Sequence, residues 1–343
     1  MSLASIVGIA ILSALLLSSG STAARFQEPA SSLSHKPKGE LQAPFEKTSE
    51  ATGSSALNTN QFDIAYAEPK NPIHRPIFEM LKEEHILEKM QAVLAPVKLP
   101  VRITLKLEGC DGIANATFWD DVIKVCYEYI EHVWNHASNV ATGGLSPRDA
   151  LIGSTVDVFL HEAGHAVVEV LDIPFFGREE EVADYFATYI LLQLCMDDAR
   201  RLILGASFVS GREAIEEQGK APELRLLADT HSLPAQRHFN RWCMAYGANP
   251  VMFSEAVSVG MLPISRAKHC RYEYQTNEFA FKALISPYID DELKRSVLTR
   301  TWFDLPTMRI QTCPEAVPVA VSHRLPAVRP ETAPGVYPAL AQK

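Results

Sequence analysis

The chain has 343 residues, 47% hydrophobic and 21% charged, which is enough apolar material for one large domain or two small ones. Its formal net charge is −9 with no long basic run, which argues against nucleic acid as the main partner. Acidity by itself says little more.

Ile6 to Leu17 is a short apolar core, followed by small residues at Thr22-Ala23-Ala24. It falls short of the ~20 residues of a comfortable membrane span, so residues 1–24 read as a cleavable signal peptide. That implies export to the periplasm or the extracellular space, with no stable membrane span after cleavage. An uncleaved anchor is the alternative, because the segment lacks Lys and Arg ahead of its apolar core. Residues 25–72 are rich in Ser, Thr, Pro, Ala and Lys and read as a flexible linker or a pro-segment. Residues 73–313 are expected to form the folded domain. An amphipathic helix is expected over Pro76 to Leu94, with Ile77, Met80, Leu81, Ile86, Leu87 and Met90 inward. Val101 to Leu107 and Val122 to Tyr127 read as strands. His132 and His136 have helical spacing but no carboxylate between them, and read as surface residues.

From Ser146 onward helices dominate. Ser146 is placed as an N-cap, Pro147 at the first helical position and Asp149 completes a capping-box-like pattern. Inside this apolar helix lies His161-Glu162-Ala163-Gly164-His165. Histidines four apart share one helix face and can reach one zinc ion, and Glu162 between them is placed as the general base for a water nucleophile. A buried polar network without metal is the alternative. Ile173-Pro174 marks the helix stop. A tight connection over Asp172 to Gly177 follows, with Gly177 free to take positive φ. Phe175 and Phe176 in it pack beneath the metal or line a substrate pocket.

Arg178 to Cys195 reads as a second helix, on which Glu180, Ala183, Asp184, Ala187 and Leu191 share a face. The two alanines let it lie close to the first helix. Glu180 is the expected third ligand, and Asp184 the acceptor for the free ring N–H of a ligand histidine. Glu181, or Asp184 itself, is the alternative ligand. Glu179 and Glu181 otherwise read as a solvated acidic helix start, favoured by the helix dipole. Further helices are expected near 237–246 and 277–298, and residues 314–343 form a Pro-rich extended tail.

There are six cysteines, and an even count in an exported chain suggests disulfides. Cys110 and Cys126 flank the strand segment and are expected to pair, as are Cys243 and Cys270. Cys195 with Cys313 is left by elimination, with a free core thiol at Cys195 as the alternative.

The helix motif with Glu-x-x-x-Asp on the next helix resembles the gluzincin, thermolysin-like metallopeptidases. Metzincins are excluded, because Val168 and Leu171 stand where their glycine and third histidine would be. Asn115-Ala116-Thr117-Phe118-Trp119 is similar to the substrate-binding edge strand of thermolysin-like enzymes. That resemblance implies substrate binding by Asn115 and Ala116 through strand addition. More closely, the chain resembles an uncharacterised family of bacterial exported "putative metallopeptidases". It shares their segments Pro174-Phe175-Phe176-Gly177-Arg178-Glu179-Glu180 and His231-Ser232-Leu233-Pro234-Ala235-Gln236-Arg237. This likeness runs over roughly residues 73 to 275. Gluzincins commonly set a histidine or tyrosine opposite the metal, which implies His231 as a transition-state stabiliser oriented by Asp229. A turn histidine is the alternative. Arg237 is expected to hold a substrate carboxylate or to pair with an acidic side chain.

The expected fold is α+β and zincin-like, with a small, mostly antiparallel sheet, an edge strand beside the active-site helix and a helical C-terminal half. The expected function is Zn2+-dependent hydrolysis of a peptide or protein substrate. A zinc hydrolase of a non-peptide substrate such as a cell-wall amide, or a non-catalytic envelope protein with structural zinc, are the alternatives.

Overall fold

A computed structural model describes residues 56–137 and 145–302, so the expected signal peptide, the Pro-rich tail and Cys313 lie outside the described residues. The chain is α+β: a four-stranded sheet precedes a set of helices built around one long central helix.

The sheet runs β1 (Phe62–Tyr66), β2 (Ile103–Glu108), β4 (Val122–Cys126) and β3 (Ala116–Trp119) in spatial order. β1 pairs with β2 and β2 with β4 in parallel, and only β3 with β4 is antiparallel. The sheet is therefore mixed, and the expectation of a mostly antiparallel one is corrected. Parallel neighbours need a crossover. Between β1 and β2 that crossover is the helix pair α1 (Arg75–Glu83) and α2 (Ile86–Leu94). After β2 the chain passes to the outer edge, forms β3 and returns as β4 through a two-residue turn. Asp120 and Asp121 in that turn have φ of 50° and 58°, the left-handed pair that suits tight hairpins.

Two further expectations change here. The stretch assigned to linker, 25–72, contains β1, whose Phe62 is buried in the core, so the folded region starts earlier than residue 73. The single helix over 76–94 is broken at His85, where φ is 53°. Of its expected inward residues, Ile77, Leu81, Ile86, Leu87 and Met90 are buried and Met80 is partly so.

After α3 (Tyr127–Ala137), the central helix is α4 (Pro147–Val170), capped by Ser146, whose Oγ accepts from the Asp149 N–H at 3.1 Å. Residues on all sides of α4 are buried, as expected of a helix surrounded by other elements. It packs against β3, β4, α3, α5 (Glu179–Gln193) and α6 (Met196–Glu216). At the α4–α6 crossing Gly153 faces Gly205: a Cβ on Gly153 would lie 2.6 Å from the Gly205 Cα, so only glycine allows this approach. Next come α7 (Leu224–Ala228), α8 (Pro234–Ala248), α9 (Ser254–Ser258), α10 (Ile264–Leu284) and α11 (Asp291–Leu298). The helix expected over 277–298 is split into α10 and α11 by a short turn at Ser286–Tyr288 that contains Pro287, which cannot continue the helical hydrogen bonding.

Cys110 is disulfide-bonded to Cys126, and Cys243 to Cys270, as expected from the spacing. Cys195 is disulfide-bonded rather than a free thiol. Among the described residues no helix is long and apolar enough to cross a membrane.

Candidate metal centre

Two helices and one loop converge at the centre. α4 presents His161 and His165, with ring centroids 4.9 Å apart and edge-on to each other. α4 ends at Val170 and the chain reverses through Asp172, at φ 49°, and Gly177, at φ 95°. α5 then starts directly beside the two histidines. Phe175 and Phe176 do not pack beneath the centre: both are exposed on this turn, Phe176 at 103%.

The donor atoms lie close together. His161 Nε2 is 3.2 Å from His165 Nε2 and 3.1 Å from Glu180 Oε2, and His165 Nε2 is 3.3 Å from the same oxygen. His231, from the loop between α7 and α8, brings its Nε2 to 3.0 Å from Glu180 Oε2. Each ring's other nitrogen faces a carboxylate. His161 Nδ1 lies 2.9 Å from Asp184 Oδ1, His165 Nδ1 2.8 Å from Glu179 Oε1, and His231 Nδ1 3.1 Å from Asp229 Oδ1. A carboxylate there takes the Nδ1–H and leaves the Nε2 lone pair aimed at the centre.

The same carboxylates set the charge balance of the centre, drawing protons onto the rings. Burial works against protonating His161, but hydrogen bonds to Asp184 and Glu180 outweigh it and raise it to about 9. His165 is likewise raised to about 10, burial being overcome by Glu179 and Glu180. Glu180 is lowered, because hydrogen bonds from His161, His165 and His231 overcome its burial. The centre therefore favours positive charge. Glu162, on α4 between the histidines, is 7% exposed and carries no side-chain hydrogen bond to another described residue. Burial raises its pKa, partly offset by His161 and His165.

Residues expected at the site are distributed as follows. His161, Glu162, His165, Glu180, Asp184, His231 and Asp229 come together. Asn115 and Ala116 lie at the start of the edge strand β3, which packs against α4; Asn115 is exposed and its carbonyl accepts from Cys126 N–H at 3.0 Å. Arg237 is not free for a substrate carboxylate: its Nε and Nη2 donate to Asp184 at 2.8 Å and 2.6 Å. The expected substrate role is corrected to the acidic pairing. Glu179, read as solvated, faces His165 instead. Glu181 accepts from Ser232 Oγ at 2.6 Å and from Arg178 Nη2 at 3.1 Å, which ties the His231 loop to the start of α5. Nothing local in the sequence signals these two partners. His132 and His136 lie on α3 with rings 4.3 Å apart, His132 exposed and His136 partly buried.

Beside His231 opens a cavity of about 480 Å³, lined by Glu213, Glu216, Leu226, Asp229 and Leu233. That volume lies in the range of small-molecule and side-chain pockets, ~300–1,000 Å³.

A mainly helical α+β protein with a histidine–carboxylate cluster is the class that fold and site define. Residues 66–285, well over half of the chain, match the profile of a family described as "Putative metallopeptidase". The chain belongs to this family. No curated protein and no solved structure matches it.

Proposed function

We propose that the chain is a zinc-dependent peptidase of the gluzincin type, on a zincin-like fold, with His161, His165 and Glu180 as ligands. One observation carries this reading. The two Nε2 atoms and the Glu180 oxygen form a triangle with edges of 3.2, 3.1 and 3.3 Å. Donors at ~2.0–2.1 Å from a tetrahedral ion are separated by about 3.3 Å, so the residues present fit the ion. The carboxylates on each Nδ1 support the same assignment.

When bound, the ion supplies Lewis-acid polarisation of a carbonyl and of a water nucleophile. Glu162 takes the proton released as the water oxygen attacks the scissile carbonyl carbon, and delivers it to the amide nitrogen as the C–N bond breaks. Burial raises its carboxyl above the ordinary glutamate range, so it holds an accepted proton more readily than an exposed carboxylate. His231 donates through Nε2 to the developing oxyanion, held in place by Asp229, whose Oδ1 accepts from the His231 backbone N–H at 2.9 Å. Hydrogen bonds to Glu180 and Asp229 outweigh burial and raise His231, so it carries a proton more readily than an ordinary imidazole. The outer edge of β3, with Asn115 and Ala116 at its start, is the place where an extended peptide adds as a further strand.

A second reading is favoured by the 3.0 Å approach of His231 Nε2 to Glu180: as a fourth ligand, His231 would close the site into a structural one. Zinc stoichiometry and cleavage of a mixed peptide library, wild type against Glu162→Gln, decide between them. The peptidase reading expects both proteins to hold zinc and the variant to cleave ~10²–10⁴-fold more slowly. Unchanged cleavage by a zinc-loaded Glu162→Gln protein overturns Glu162 as base. A wild type that holds zinc and cleaves no peptide favours the closed site or a non-peptide substrate.

A further inference from the structure

Behind the centre, α8 packs against α5 and α6 and carries a pair of arginines four residues apart, one reaching α5 and the other α4. Arg237 grips Asp184 with a fork: Nη2 to Oδ1 at 2.6 Å and Nε to Oδ2 at 2.8 Å. Asp184 Oδ1 is the same oxygen that lies 2.9 Å from His161 Nδ1. One turn further along α8, Arg241 donates to Asp157 Oδ2 at 2.7 Å and to the Ala206 carbonyl at 2.9 Å. Asp157 lies one turn before His161 on α4. The two rungs are alike in chemistry, but only the first touches a group that holds a proposed ligand.

A carboxylate that accepts one bond from a histidine can still rotate about Cβ–Cγ and carry the ring with it. A bidentate guanidinium removes that rotation, because both oxygens must stay in the plane of the fork. A lysine in its place keeps the charge and loses the fork. We infer that Arg237 is a positioning residue for His161, acting through Asp184 to aim the imidazole Nε2 at the centre. Arg241, on the second rung, holds α8 against α4 and α6 and has no such role. This rests on the metal-site reading above and goes beyond it by naming a residue that touches neither ion nor substrate.

The test is the zinc dissociation constant of the full chain, measured by competition with a chromophoric chelator. Circular dichroism checks that each zinc-free variant is folded. Asp184→Asn and Arg237→Gln are each expected to weaken zinc by roughly 10–100-fold, the range for outer-shell partners. Arg237→Lys falls between Arg237→Gln and wild type. If Arg237 works through Asp184, the double variant binds zinc within about twofold of Asp184→Asn alone. Arg241→Gln lowers the melting temperature and leaves the constant near wild type. Three results overturn the inference: wild-type affinity in Arg237→Gln, losses that multiply in the double variant, or an equal loss in Arg241→Gln. A wild type that binds no zinc is a different failure and sinks the metal-site reading itself. Should Arg237→Gln not fold, Arg237→Lys against Arg241→Lys gives the same comparison, and equal affinities there overturn it too.

Discussion

Gly164 lies between the two histidines on the face of α4 that meets α5. A Cβ on it would stand 2.9 Å from the Ala183 Cα and 3.3 Å from the Cβ atoms of Ala183 and Phe186. Non-bonded carbons rest at ~3.5–4.0 Å, so Gly164→Ala must push the helices apart by roughly 0.6–1 Å. The nearest obstacle is backbone and cannot turn aside. Overpacking costs about 1–3 kcal/mol, and replacing a helical glycine by alanine returns about 1 kcal/mol, leaving a net loss of ~0–2 kcal/mol. The site suffers more than the fold. Glu180 and Asp184 flank Ala183 on α5, so the displacement acts directly on their distances of 3.1 Å and 2.9 Å to His161. A misplacement of about 1 Å is worth ~10²-fold in rate. We expect Gly164→Ala to unfold within about 2 kcal/mol of wild type in urea while its kcat/KM on a cleaved peptide falls ~100-fold and its zinc affinity drops. Wild-type zinc affinity and activity in a folded Gly164→Ala protein would refute the claim that this crossing sets the site.

Other expectations follow from the packing around the site. His238 is 2% exposed, and burial pushes it from 6.5 down to about 4 against the opposing Ser207 carbonyl. Its folded pKa lies below the unfolded one, so its contribution is fully present above pH 6.5 and is lost as pH falls toward about 4. At ~1.4 kcal/mol per pH unit that is about 3 kcal/mol, and urea midpoints from pH 4 to 7 should slope less steeply in His238→Gln; identical slopes refute it. The Cys243–Cys270 bridge closes a separation of 27 residues, so replacing both by Ala should cost ~3.5 kcal/mol by loop entropy while zinc affinity stays unchanged. Removing Cys110–Cys126, separation 16, should cost ~3 kcal/mol and also raise the KM for peptide, because that bridge holds the loop leading into β3. A KM equal to wild type would separate the bridge from substrate binding.

Much of the centre is legible because its signals are local. The spacing of His161 and His165, the Ser146-Pro147 helix start and the shared face of Glu180 and Asp184 all follow from helical geometry over a few residues. Glu179 was obscure for a physical reason: an acidic residue in a helix's first turn is already explained by the helix dipole, and its second role appears only when His165 arrives beside it. Arg237 was ambiguous because its partner lies 53 residues away. Strand direction is not legible, because alternation along a strand marks its buried face and says nothing of its neighbour's direction. β1 was hidden at the end of a polar stretch.

By itself the sequence determined the chemistry on offer: two imidazoles and a carboxylate on one turn of helix, and two more carboxylates one turn apart on the next. It also determined where the first helix begins and where the disulfides fall in the described chain. Tertiary structure decided which carboxylate faces which ring nitrogen, that Arg237 serves Asp184, that His231 reaches Glu180, and that the sheet is mixed. Those outcomes depend on the approach of α4, α5 and α8, set by glycine and alanine contacts and by buried charge pairs between residues distant in the chain.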